Sequence, residues 1–157
     1  MKVKGVNSET NEEYQANAEK IDDAFLNYIS ESSVSDEAIK KLLEKLPVSA
    51  DAKSLLFSFA KAAIQIGERI VKIGKKILSL IFTMCKEYPS TTFGAIFGAT
   101  VGLLISSIPV LGFILGPIAL PLLIIVGIGV GAIEDIKDKM LARKIKEINA
   151  EFSPLNA

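Results

Sequence analysis

The sequence predicts an all-α protein in which amphipathic helices flank a central hydrophobic two-helix transmembrane hairpin. Three observations lead there. Between Glu87 and Glu134 lie 46 consecutive residues without a charge, and about 18 are enough to propose a membrane span. Apolar residues elsewhere recur at steps of three and four, the period of a helix face. Alternation with a period of two, the mark of a half-buried strand, is weak throughout.

Residues 1–52 read as an acidic N-terminal helical region. Thr10 and Glu13 have the spacing of a capping box, and Tyr14, Ala18, Ile21, Phe25, Tyr28 and Ile29 continue as one apolar stripe. A break at 30–35 precedes a short helix with Asp36 and Glu37 in its first turn and Ile39, Leu42, Leu43 and Leu46 on one face. Pro47 ends it.

Residues 53–88 read as one basic amphipathic helix, with Ser49 or Asp51 as its cap. Its apolar stripe includes Leu56, Phe59, Ala63, Ile66, Ile70, Ile73, Ile77 and Met84. The opposite face carries Lys61, Arg69, Lys72, Lys75, Lys76 and Lys86, which are expected to face lipid. Gly67 and Gly74 fall on nearly the same side and mark a close helix contact or a bend.

Residues 89–133 read as the hairpin. Pro89 stops one helix, and Ser90 or Thr91 starts another over about 92–107. The second apolar helix begins near Pro117 or Ile118, with Ser106, Ser107, Pro109, Gly112, Gly116 and Pro117 at the tip. Two helices of about 17 residues would each span about 26 Å, against a hydrocarbon core of about 30 Å. Lysines and arginines at both open ends place both termini on the cytosolic side. Gly94, Gly98 and Gly102 strip one helix face of side chains, so this face is the expected site of helix packing and oligomerisation. Gly127, Gly129 and Gly131 make the end of the second helix small and pliable. Residues 134–157 form an amphipathic C-terminal helix and tail, with Ile136, Met140, Ile145, Ile148 and Phe152 at helical spacing.

Composition removes several chemistries. The chain has no histidine and one cysteine, Cys85, which excludes an imidazole dyad, an intrachain disulfide and a cysteine-based zinc site. No enzyme activity, cofactor or metal is expected. The uncharged block has no intramembrane ionisable group, so transport through a dedicated binding site is disfavoured. Zero net charge hides a segregation. Residues 1–52 carry 6 basic and 11 acidic groups, a balance of −5, while 53–87 carry 7 basic and 2 acidic groups, a balance of +5. The acidic head is therefore a candidate lid or partner handle for the basic segment. Residues 1–13 hold no apolar signal region, and no nucleic-acid motif accompanies the lysines.

The uncharged Gly/Ala/Ile/Leu hairpin over 93–133, with its Pro/Gly tip and amphipathic flanks, resembles the buried hairpin of colicin-type pore-forming domains and the plan of Bcl-2-like proteins. The resemblance implies a soluble bundle that opens so that the hairpin inserts. The expected function is a membrane-inserting, oligomeric pore-forming protein that permeabilises the cytoplasmic (inner) membrane, as a toxin or defence effector. Its expected partners are an anionic lipid bilayer, further copies of itself and a protein bound by residues 1–52, with no nucleic acid. The alternative is a non-lytic membrane anchor or scaffold that presents an N-terminal helical interaction module. A helical bundle with an unusually apolar core ranks third, because four amphipathic helices would have to cover two wholly apolar ones.

Overall fold

The computed structural model describes residues 1–7, 10–31, 34–125, 133 and 136–156. Its elements run β1 (Lys2–Val6), β2 (Glu13–Asn17), α1 (Asp23–Ser30), α2 (Asp36–Glu44) and α3 (Ala50–Lys61). A second pair of strands follows, β3 (Ile64–Ile66) and β4 (Arg69–Val71), then α4 (Ile73–Glu87), α5 (Phe93–Ser107), α6 (Pro109–Ile125) and α7 (Lys139–Glu151). The expected all-α architecture is corrected by the strands, which form one antiparallel sheet in the order β2-β1-β3-β4.

Local chemistry explains both strand pairs. Thr10 and Glu13 do not open a helix. The Asn7 side-chain oxygen accepts from the Thr10 amide at 3.3 Å, the Thr10 hydroxyl accepts from the Glu12 amide at 3.3 Å, and Asn11 has φ 57°. These are turn contacts, and asparagine tolerates the left-handed region. In the basic segment Ile64 and Ile66 point into the core while Gln65 faces out. Ile66 pairs with Arg69, leaving Gly67 and Glu68 as a two-residue turn. Gly67 has φ 61°, which the first central position of such a hairpin requires. The single expected helix over 53–88 is thus α3, a hairpin and α4.

The starts of α1, α2, α3, α5 and α7 follow capping chemistry. Side-chain oxygens of Asp22, Ser35, Ser49, Thr92 and Asp138 accept first-turn amides of α1, α2, α3, α5 and α7. Pro109 opens α6, where a missing amide costs little.

The uncharged block is the core of the fold. Helices α5 and α6 have 15 and 17 residues, about 22 and 26 Å at ~1.5 Å per residue. Phe97, Val101, Leu104, Leu111, Leu115 and Ala119 are buried. Helix α5 packs on α4, α6 and α7, and α6 packs on α3 and β1. Among the described residues no helix is long and apolar enough to cross a membrane. This overturns the transmembrane hairpin. It does not fit the membrane, transmembrane and pore-forming reading, and the inner-membrane location loses its support. The physical reason is that an uncharged helix is satisfied as well by a protein interior as by lipid. The covering surface comes from Val3, Ile64, Ile66 and Val71 of the sheet and from the apolar faces of α3, α4 and α7.

Within the hairpin, Ser106, Ser107 and Pro109 flank the turn at Ile108, whereas Gly112, Gly116 and Pro117 lie inside α6. Pro117 has no amide for the Phe113 carbonyl, and Asn7 Nδ2 donates to that carbonyl at 3.5 Å. Gly98 and Gly102 are buried within the chain and Gly94 is half-buried. Gly127, Gly129 and Gly131 lie outside the described residues.

Candidate functional site

Helices α2 and α3 and the start of α4 meet around a cleft of about 390 Å³. Helical period brings its walls together. Helix α2 contributes Asp36, Ile39 and Lys40, and α3 contributes Phe57, Ala60 and Lys61. Lys72, just before α4, and Lys75, in its first turn, close it. Ile39 is buried, and Phe57 and Ala60 are half-buried, so the floor is apolar and the rim is cationic.

Asp36 is the acidic group in this rim. Its carboxylate accepts from Lys75 Nζ at 2.8 Å and from Lys72 Nζ at 3.3 Å. These bonds, Lys75 first, hold its carboxyl below the ordinary carboxylate range. Lys75 is largely buried while Asp36 is exposed. Among the described residues no carboxylate lies within 4.0 Å of Lys40 or Lys61. The first turn of α4 contains no acidic residue and Lys72 gives it no side-chain cap. Asp36 brings a negative group to that helix end from α2 instead. Four lysines and one aspartate thus line the cleft around an apolar floor, with two of the lysines bonded to the aspartate.

Lys76, next in sequence, is held elsewhere. Its ammonium lies 4.4 Å from the centroid of the Tyr28 ring and donates to the Glu31 carbonyl at 3.0 Å. Burial lowers its pKa, against the opposing charges of Glu31 and Glu151. The Tyr28 hydroxyl donates to the Glu151 carboxylate, and burial together with that bond raises the phenol pKa. Tyr28 thus links Lys76 of α4 to Glu151 of α7.

The six basic residues expected to face lipid do not form one stripe. Lys61, Lys72 and Lys75 meet in the cleft, Lys76 sits beside it, Arg69 is exposed on β4, and Lys86 is exposed in the last turn of α4. Sequence reasoning missed Asp36, Lys40 and Phe57. One signal did point there, the charge segregation between 1–52 and 53–87. Among the described residues Asp36 is the acidic side chain of the first segment that pairs with lysines of the second.

The chemistry of the cleft is charge and apolar contact. Among the described residues no group of three His, Cys, Asp or Glu could hold a metal ion. Cys85 is half-buried outside the cleft, and burial pushes its thiol up to about 11, a poor nucleophile at neutral pH. Set against family models, curated proteins and solved structures, the chain matches none of them.

Proposed function

We propose that the protein is a non-enzymatic binding module that takes an anionic ligand in the cleft between α2, α3 and α4. One observation carries this reading: four lysines rim an apolar floor, and two of them, Lys40 and Lys61, have no carboxylate partner among the described residues. Gathering like charges costs energy through mutual repulsion, and an anionic ligand removes that cost. The reading keeps the interaction-module alternative and drops its membrane anchor.

The test is binding of a labelled ten-residue polyglutamate to the full chain, followed by anisotropy. Lys40→Glu combined with Lys61→Glu should weaken binding about tenfold or more, and added salt should weaken the wild type. Arg69→Glu and Lys86→Glu, outside the cleft, should leave affinity near wild type. Absence of binding, or equal loss in all variants, would reject the cleft as the site.

A further inference from the structure

We infer that the ligand is an acidic amphipathic helix of a partner protein, and that Asp36 holds its place when the partner is absent. The inference rests on the anion-binding reading of the cleft and names the occupant.

Helix α2 supplies the template. Asp36 puts a carboxylate between Lys75 and Lys72 at 2.8 and 3.3 Å, and Ile39, one turn later, contributes an apolar side chain to the same cleft. Lys72 and Lys75 thus already bind one carboxylate, beside an apolar surface that a ligand with an acid and an aliphatic group at i and i+3 would match. Lys40 and Lys61 remain unmatched among the described residues, so the ligand needs further acidic groups. Phe57 and Ala60 give the floor an apolar surface that an all-polar anion would leave unused.

Shape agrees with charge. Each helical wall presents residues at i, i+3 or i+4, and a further helix with the same period can lay its own ridge into such a groove. Asp36 is free to yield. Its side chain is 68% exposed, and α2 is capped independently by Ser35, whose hydroxyl accepts from the Ala38 amide at 3.1 Å. A partner carboxylate can take the two ammonium groups while α2 stays folded.

The experiment compares two helical peptides of identical composition on the full chain, by calorimetry. In one, glutamates and leucines share a face at i and i+3; in the other, the leucines lie opposite the glutamates. The first should bind about fivefold tighter or better than the second. Asp36→Asn should tighten it further by about two- to fivefold, the range of one exposed ion pair. Equal affinities for the two peptides, with polyglutamate still bound, would overturn the helix while leaving the anion site intact. Weaker peptide binding by Asp36→Asn would overturn the place-holding role. Stronger competition by decanoate or by a single-stranded oligonucleotide than by polyglutamate would reassign the ligand class. Failure of every anion to bind would reject the proposed function itself.

Discussion

A side-chain carbon placed on Gly74 would lie 1.8 Å from the carbonyl oxygen of Phe59. The end of α3 and the start of α4 therefore meet backbone against backbone, and the Gly74 amide donates to the Ala62 carbonyl at 3.1 Å. This contact sets the distance between the two cleft walls that carry Lys61 and Lys75.

Gly74→Ala should cost about 1–3 kcal/mol or more, because a backbone atom cannot swing aside as a side chain can. Gly67 offers the contrast. Among the described residues nothing lies within 4 Å of a carbon added there, yet its φ is +61°. Gly67→Ala should cost about 1 kcal/mol through strain alone, and Gly67→Asn less. Urea midpoints for the three variants would separate a steric cause from a conformational one. Equal midpoints for Gly74→Ala and wild type would contradict the close approach.

Thr100 is fully buried in α5, and its hydroxyl oxygen has no hydrogen-bond partner among the described residues. An unmet hydroxyl in such a site costs about 1–3 kcal/mol, and valine keeps the shape without it. Thr100→Val should raise the melting temperature. A lower one would mean that the hydroxyl is satisfied.

Acid should dissolve the Asp36 bridge with a defined sign. The folded carboxyl titrates below its ordinary value of 3.8, because Lys75 and then Lys72 bond its charged form. A depressed folded pKa gives stability that is complete above the ordinary value and disappears as pH falls through the folded one. Asp36→Asn should thus melt slightly below wild type near pH 7 and together with it near pH 2. A gap of the same size at both would assign the difference to something other than this titration.

Cys85 should be slow to alkylate. Its thiol is pushed up to about 11 by burial, so little thiolate exists at neutral pH. Iodoacetamide should react about tenfold more slowly with native than with denatured protein, and faster as pH rises towards 11. Rapid native labelling at neutral pH would place the sulfur in water.

Helix chemistry was legible where caps and apolar period coincide. Ser49 as a candidate cap, Ile39 and Leu43 on one face of α2, and the apolar helix ending at Ser107 were readable from sequence. The strands were not: in β2, Tyr14 fits the helical steps that run on to Ile29, and β3 and β4, with three residues each, are too short to show a period of two. Ala63, Ile66, Ile70 and Ile73 also fit helical steps, and only Gly67 hinted at the turn. The hairpin misled for another reason. Hydropathy reports that a segment avoids water, and the choice between lipid and protein depends on what covers it. Gly5 illustrates the missing information: a carbon added there would lie 2.1 Å from Ile114 Cδ1, so β1 rests against α6. Nothing local to Gly5 announces a partner that distant. The cleft was half legible, since the charge imbalance was visible while the meeting of Lys40 with Lys61, Lys72 and Lys75 required the fold.

Strand β1 lies inside the sheet, with Val3 paired to Ala16 on one side and to Ile66 on the other. During synthesis it leaves the ribosome before β3 and must wait for it, and its Gly5 face waits longer still for α6. The amphipathic elements made early have no core to close upon until the uncharged block emerges. Compaction therefore waits for α5 and α6 and draws together partners about a hundred residues apart, such as Gly5 and Ile114, a topology that favours slow folding and transient exposure of apolar surface. A nascent chain halted after Glu87 would carry every wall of the cleft and still lack the interior that holds those walls apart.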